Sequence, residues 1–227
     1  MIVWLYWAIS LTIVTYASVL IVRRLGETGY AALVAFYSVY LAASQILATR
    51  IILFDLGFIS FYAPAAVFIY PFIAQAIDMV NEVYGRVKAH MAILICFVSQ
   101  VLLVTFIGMV NSLKPAPFFM YEEAWKSLFG LSVRITAASW ISFIVCQNLD
   151  AYVFSFLKEK FERLVILRSV ASDFLDLTVD SVIFVTLAFY GTMPIVPLIA
   201  GQIVSKNIVG FLDTPWFLFY KRAVSKR

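Results

Sequence analysis

The chain has 227 residues and a formal net charge of +4, and 63% of its residues are hydrophobic whereas only 13% are charged. Soluble domains average about 45–50% apolar and about 25% charged residues, so this composition excludes an ordinary soluble domain as well as a disordered or collagen-like chain. The basic residues lie in short clusters between long apolar runs, which is typical of membrane-protein loops and argues against nucleic-acid binding.

Apolar segments long enough to cross a hydrocarbon layer of roughly 30 Å follow one another along the chain. We place seven of them, at about 2–22, 29–49, 56–80, 89–111, 131–156, 167–190 and 194–220. The first lacks the basic residues and cleavage site of a signal peptide, so we expect it to remain as a span. The last two are separated at Gly191 and Pro194, because glycine forms turns and proline suits a helix start. We expect one membrane domain over residues 1–227.

The loop charges predict the orientation, because Lys and Arg accumulate on the cytoplasmic side of membrane proteins. If the N-terminus is outside, eleven of the seventeen Lys and Arg residues fall in cytoplasmic loops or at the cytoplasmic C-terminus, and only three fall in outer loops. The sequence therefore predicts an all-α, polytopic bundle of about seven transmembrane helices in the cell membrane, with an N-out, C-in orientation.

Polar side chains inside the predicted spans mark a candidate binding site. An ionisable residue there costs at least about 2.5–3.5 kcal/mol on insertion scales, so it usually faces the bundle interior and carries function. Asp78, Asn81 and Glu82 are three and four residues apart and share one helical face, although Glu82 could also be a solvated helix end. Gln147 and Asp150, three residues apart, are neighbours in the fifth segment.

Charges in the fifth, sixth and seventh segments need partners within the membrane. The sixth segment carries an acidic stripe at spacings of three and four residues: Asp173, Asp176 and Asp180. Lys206 lies near the middle of the bilayer, and its candidate partners are Asp150, Asp176 and Asp180. Arg134 needs a partner on another helix or on a ligand, unless its side chain reaches the outer interface.

No enzyme signature is present. The sequence has no His-Glu-x-x-His motif, no nucleophile elbow and no Walker lysine loop. Two distant cysteines, Cys96 and Cys146, form neither a disulfide framework nor a zinc pattern, and the single histidine, His90, is expected at a helix start. We therefore expect a protein that is not an enzyme and that needs no cofactor or metal.

Four stretches resemble the signatures of a known family, the queuosine precursor transporters or vitamin uptake transporters. They are Pro71-Phe72 with Asp78, Asn81-Glu82 and Tyr84-Gly85-Arg86; Arg134-Ile135 with Ala138-Ser139, Gln147, Asp150 and Val153-Phe154; Ser172 with Asp180-Ser181 and Phe184; and Lys206 with Thr214-Pro215. The resemblance covers roughly residues 30–220. Leu177 stands where the family usually has an amide, Asp176 is an added acid, and the segment at 2–22 is additional to the family's six helices.

The resemblance implies uptake of 7-deazapurine precursors of modified tRNA nucleosides, such as 7-cyano- and 7-aminomethyl-7-deazaguanine. The candidate substrate residues are then Asp78, Asn81, Glu82, Gln147, Asp150, Ser172 and Asp180, with Arg134, Arg168 and Lys206 as charge partners. Phe72, Tyr152 and Phe154 are the candidate stacking rings. We expect a small-molecule substrate and the lipid bilayer as partners, while proton coupling, an oligomer and an energising partner stay open.

Two other functions remain possible at this point. A substrate-binding membrane subunit of the energy-coupling-factor type would bind a vitamin or nucleobase but transport it only with an energising partner. A retinal photoreceptor would share seven spans and a lysine in the seventh. Microbial rhodopsins place an aspartate four residues before that lysine, where this chain has Gln202, so we regard this alternative as distant.

Overall fold

The computed structural model describes the backbone of residues 2–55, 57, 60–160 and 165–225, and the side chains of these residues except 2–3, 147–160, 165–174, 176 and 225. Within these ranges, six long helices and one β-hairpin are found. They are α1 (Ile2–Leu25), α2 (Gly29–Leu47), β1 (Ile51–Asp55), β2 (Ser60–Pro64), α3 (Tyr70–Ser112), α4 (Glu122–Lys160), α5 (Val165–Phe189) and α6 (Ile195–Ser225). Short 3-10 turns at Gly26–Thr28 and Ala65–Phe68 precede α2 and α3.

Several of these helices are long and apolar enough to cross a membrane. In the described part of the chain they occupy four stretches, Trp4–Leu47, Tyr70–Ser112, Glu122–Cys146 and Ile195–Val224. The first stretch contains both α1 and α2, separated by the turn at Gly26–Thr28. The chain is therefore a helical, multi-pass membrane protein, as its composition predicts. The count of seven spans and the N-out orientation stay predictions.

The longest helix, α3, is broken at a single glycine. Its 43 residues would measure about 65 Å at roughly 1.5 Å per residue, about twice the thickness of a hydrocarbon layer. Gly85 interrupts it with φ 81° and ψ 171°, a conformation that essentially only glycine adopts. The break separates a first arm, residues 70–84, from a second arm, residues 86–112, and it falls between the third and fourth predicted segments.

The predicted third segment, residues 56–80, is wrong in its first half. Ile51–Asp55 and Ser60–Pro64 form an antiparallel hairpin in which Ile51 pairs with Pro64 and Asp55 pairs with Ser60, and the helix begins only at Tyr70. The all-α prediction is corrected by these two strands. In an apolar chain the alternation of side chains between two faces is hidden, because residues on both faces are hydrophobic.

Local chemistry explains the hairpin. Gly57 adopts φ 86° in the turn, and the Asp55 Oδ1 atom accepts hydrogen bonds from the Gly57 N–H at 2.8 Å and the Ser60 Oγ at 3.1 Å. These bonds, that from the Gly57 backbone first, hold the pKa of the exposed Asp55 carboxyl below its usual value. Phe54 and Phe61, directly opposite each other, stack with their ring centroids 4.9 Å apart.

The chain divides into two compact units. The first unit comprises residues 1–47, 66–110 and 208–227, and thus α1, α2, most of α3 and the end of α6. Its buried core includes Val22 of α1, Leu33 of α2, Met79 and Ala92 of α3, and Tyr220 of α6. The Tyr84 hydroxyl of α3 donates a hydrogen bond to the Gly26 carbonyl, and it lies 2.7 Å from the position that a Cβ on Gly29 would take. The turn at Gly26–Thr28 therefore packs tightly against α3.

The second unit comprises residues 48–65 and 111–207, and thus the hairpin, α4, α5 and the first part of α6. Helices α4 and α5 pack along each other. The buried faces of the unit include small residues such as Ser132, Ser142, Ser181 and Ser205, which let helices approach closely. The hairpin contacts α6 at Gly201, where a Cβ would overlap the Tyr62 carbonyl.

Candidate functional site

Asp180 is the centre of a polar cluster in the second unit. Its Oδ1 accepts a hydrogen bond of 2.7 Å from the Ser142 Oγ of α4, and its Oδ2 pairs with the Lys206 Nζ of α6. The side chains of Asp180 and Lys206 are only 22% and 12% exposed. Of the three carboxylates that the sequence offered as partners of Lys206, the structure shows Asp180 in this role. The Asp180 carboxylate thereby connects α4, α5 and α6.

Ser142 was not singled out from the sequence, although it is fully buried. It shares the buried face of α4 with Ser132, Ile135 and Ala138, and a polar residue on such a face was the available signal. A carboxylate has about four lone-pair sites, so Asp180 can accept further donors besides Ser142 and Lys206.

Arg134 caps the end of α5. Its Nε donates to the Leu187 carbonyl at 2.8 Å, and one terminal nitrogen donates to the Tyr190 carbonyl at 2.7 Å. The last carbonyls of a helix have no partner within the helix and carry partial negative charge, so a guanidinium satisfies them well. The sequence left open whether Arg134 has a partner on another helix or on a ligand, or reaches the outer interface. The structure shows that its partners are backbone carbonyls at the end of α5.

Gln202 brings an unmet acceptor to the second unit. It is 2% exposed and lies one helical turn before Lys206 on α6. Its Oε1 is buried without a hydrogen-bond partner among the described residues. Buried polar atoms are nearly always paired, so this amide is a candidate contact for a donor from a ligand or water.

In the first unit, the predicted acidic face on α3 is exposed. Asp78, Asn81 and Glu82 all lie on the first arm of α3, and Glu82 pairs with Lys221 of α6 at 3.2 Å. This pair is about a third to a half exposed, and such pairs contribute at most about 1 kcal/mol. In the described ranges, no hydrogen bond or ion pair joins the side chain of Asp78 or Asn81 to another residue.

Phe72 lines an aromatic cavity of about 350 Å³ in the first unit. The cavity lies against α1, α2 and the start of α3, and its lining includes Tyr6, Trp7, Ser10, Tyr40 and Phe68. Phe72 is 8% exposed and meets Tyr40 edge to face, with ring centroids 5.6 Å apart. Its ring therefore has an aromatic neighbour already, and its stacking on a substrate stays a prediction.

Two buried polar residues near Asp78 were not singled out from the sequence. Gln75, three residues before Asp78 and therefore on the same face, donates through its Nε2 to the backbone carbonyl of Asp213 at 3.1 Å. Gln75 is 4% and Asp213 is 9% exposed. The spacing of three residues that places Asp78 and Asn81 on one helical face also places Gln75 on it. The contact of Gln75 with Asp213 of α6 depends on how the helices pack, and the sequence gives no signal for it.

Several predicted site residues have side chains outside the described residues, and their roles stay predictions. They are Gln147, Asp150, Tyr152, Phe154, Arg168, Ser172, Asp173 and Asp176. Their backbone belongs to α4 and α5, as the segments at 131–156 and 167–190 predict.

Long apolar helices that carry buried charged residues define a multi-pass protein of the cell membrane. The sequence model of the family described as "putative vitamin uptake transporter" matches residues 64–220, so the chain belongs to this transporter family. The match begins at Pro64, so it does not include α1 or α2. Family membership favours a transporter over the retinal-binding alternative.

A curated relative agrees with this assignment. A "probable queuosine precursor transporter" of Bacillus subtilis (strain 168) is 34% identical over 122 residues, which cover 52% of this chain and 53% of that protein. The chain thus aligns with about half the length of this relative. No solved structure matches the chain.

Proposed function

We propose that this protein imports 7-deazaguanine bases, such as 7-cyano- or 7-aminomethyl-7-deazaguanine, across the cell membrane in an N-out, C-in arrangement of about seven spans. Family membership and the name of the relative support the class of substrate. The observation that carries the proposal within this chain is the Asp180 carboxylate, held by Ser142 and Lys206 inside apolar helices. Ionisable residues inside membrane helices are costly and therefore rare, and they usually serve the function of the protein.

The chemistry of a guanine-like base matches this cluster. The base edge presents adjacent N–H donors, and a carboxylate can accept two of them at once. The ammonium of Lys206 is a donor that suits the carbonyl of the base, and the buried Oε1 of Gln202, which has no partner among the described residues, is one further acceptor. An analogue without the N–H donors would leave buried acceptors unpaired, which gives strong discrimination.

The other predicted contacts complete the proposal. We keep Asp78, Asn81 and Glu82 as proposed substrate residues of α3, and Gln147, Asp150 and Ser172 as those of α4 and α5. The energy source that we propose is a proton gradient, because transport against a gradient needs a coupling ion or a partner, and the sequence has no ATP-binding motif.

Uptake by the purified protein in proteoliposomes tests the proposal. We expect labelled 7-cyano-7-deazaguanine to enter the proteoliposomes. The unlabelled compound should compete with this uptake, whereas adenine should not. Asp180→Asn should abolish this uptake, whereas Asp55→Asn, which changes an exposed aspartate of the hairpin turn, should not affect it. Binding without uptake in the wild type would indicate the subunit that needs an energising partner. Full uptake by Asp180→Asn would refute the proposed role of Asp180.

A further inference from the structure

A second polar cluster, in the first unit, consists of Gln75 and Asp78 of α3 and Asp213 of α6. Gln75 of α3 uses its amide N–H to hold the Asp213 backbone of α6, so its Oε1 cannot be exchanged for the nitrogen without losing that bond. This Oε1 is buried and has no hydrogen-bond partner in the part of the chain that is described. Asp213 itself is 9% exposed. A buried acceptor beside a buried acid indicates that a donor is missing from the cluster.

The negative charges of the cluster also indicate that a group is missing. Asp78 follows Gln75 by one helical turn and therefore lies on the face of α3 that Asp213 of α6 approaches through its bond with Gln75. Among the described residues, no Lys or Arg pairs with either carboxylate. Lys221, two turns beyond Asp213 on α6, is already paired with Glu82. The cluster therefore needs one positive charge as well as one donor.

A proton supplies both needs at once. When one carboxylate binds it, an O–H bond forms, the negative charge of the pair falls by one, and the new O–H can donate to Gln75 Oε1 or to the other carboxylate. A divalent metal ion is a poor alternative, because Ca²⁺ and Mg²⁺ take six or more oxygen ligands, and two carboxylates with one amide offer few.

We propose that Asp213, Asp78 and Gln75 form a proton-binding site in which the two carboxyls share one proton, and that this proton crosses the membrane with the substrate. The coupling of this proton to substrate transport rests on the function proposed above. The binding of a proton by these carboxyls does not depend on that function. Asp213 is the residue to test, because Asp78 is also a proposed substrate contact.

The other titratable and charged groups that the structure describes in this unit have partners elsewhere or are exposed. The hydroxyls of Tyr30, Tyr84 and Tyr220 donate to the carbonyls of Lys88, Gly26 and Met79, the Cys96 thiol contacts Ser38, and Arg23 donates to the Ala223 carbonyl. Tyr37 is buried in the core and Tyr40 lines the aromatic cavity. Arg24, Glu27, Arg86, Lys88 and His90 are exposed. Among the described residues, Asp213 is thus the buried carboxyl of this unit that a proton fits, and the exposed Asp78 lies one helical turn from Gln75, which contacts Asp213.

The first test measures uptake of 7-cyano-7-deazaguanine, a neutral base, into proteoliposomes with an imposed pH gradient. One proton per base gives at most about tenfold accumulation per pH unit, since one unit is a tenfold ratio of proton activity. We expect Asp213→Asn to bind and exchange the base as the wild type does but to stop at an internal concentration equal to the external one. Asp213→Glu, which keeps the acid, should restore part of the accumulation and shows that the site folds.

A second readout does not need the substrate. Infrared difference spectra at neutral pH should show the C=O stretch of one protonated carboxyl in the wild type, and Asp213→Asn should lack it, whereas Asp55→Asn should keep it. If the band is present but no 7-deazaguanine binds, the proton site stands and the proposed function fails.

Four outcomes would overturn the proton site. Accumulation by Asp213→Asn equal to that of the wild type, or accumulation driven by a sodium gradient alone, would exclude it. Loss of affinity for 7-aminomethyl-7-deazaguanine but not for the cyano compound would show that the carboxyl pair binds the ammonium of a substrate. An infrared band unchanged in Asp213→Asn would show that the two carboxyls hold no proton.

Discussion

At the scale of single residues, the carboxylate of Asp180 has both a structural and a proposed functional role, and substitutions can separate them. Removing one partner of a fully buried ion pair costs about 3–5 kcal/mol, because the other charge is left unpaired. Asp180 and Lys206 are partly exposed, so we expect Asp180→Asn to cost less, about 2–3 kcal/mol. The double variant Asp180→Asn with Lys206→Met should regain most of this stability but should not bind substrate. The melting temperature and substrate affinity measured on all three proteins check this; equal melting temperatures for the single and double variants would contradict it.

Arg134 gives a second prediction at this scale. Because it holds two carbonyls at the end of α5 through separate nitrogens, Arg134→Lys keeps the charge but loses this paired geometry. We expect Arg134→Lys to lower the stability by about 1 kcal/mol and Arg134→Ala by about 2 kcal/mol, in line with hydrogen bonds to charged groups. Thermal unfolding in detergent measures both, and an Arg134→Ala protein as stable as the wild type would exclude the capping role.

Spacing along one helix was readable from the sequence at the residue scale, whereas contacts between helices were not. The intervals of three and four residues place Asp78, Asn81 and Glu82 on one helical arm. The bond from Ser142 to Asp180 and that from Gln75 to Asp213 join residues 38 and 138 positions apart. Such pairs depend on which helix faces meet, and a nearly uniformly apolar sequence gives little signal for that.

At the scale of elements, the glycine that breaks α3 is open to a direct test. The backbone of Gly85 lies in a region that side chains disfavour, at a cost of order 1–3 kcal/mol. We expect Gly85→Ala to destabilise the protein by about that amount. Gly108→Ala is the matched control in the same helix, since its Cβ would meet open space and alanine favours helix by about 0.5–1 kcal/mol. Equal effects of the two substitutions on the melting temperature would contradict the break.

The docking of the hairpin on α6 gives a second prediction for an element. A methyl group at Gly201 would collide with the Tyr62 backbone, which cannot move aside as a flexible side chain could. Gly201→Ala should therefore displace the hairpin and lower the melting temperature, whereas Gly210→Ala, further along α6 and in open space, should not. Faster proteolysis within residues 51–64 in Gly201→Ala alone would show the displacement. Resistance equal to that of the wild type would exclude the contact.

Most helices could be predicted from hydropathy, but the hairpin could not. The predicted segments at 29–49, 167–190 and 194–220 agree with α2, α5 and α6 to within a few residues, except that α6 extends to Ser225. The hairpin is apolar on both faces, so only Gly57 and the turn-forming Asp55 distinguished it from a helix.

At the scale of the whole molecule, the charge asymmetry predicts which loops face the cytoplasm. Val87, beside the break in α3, and Met120, before α4, are 74% and 84% exposed, whereas the native Cys96 and Cys146 are buried. In intact cells we expect Met120→Cys to react with a membrane-impermeant maleimide and Val87→Cys to react only after lysis. The reverse pattern would invert the orientation, and labelling of both residues in intact cells would contradict the predicted span count.

The most direct test of the proposed function is the melting temperature of the purified protein with a panel of compounds: 7-cyano- and 7-aminomethyl-7-deazaguanine, guanine, adenine and unrelated vitamins. A ligand at one hundred times its dissociation constant stabilises the folded state by about 2.7 kcal/mol, which such a measurement detects. We predict an increase that is largest for the two 7-deazaguanines and absent for adenine and the vitamins. An increase with a vitamin instead, or none with either 7-deazaguanine, would contradict the proposed substrate.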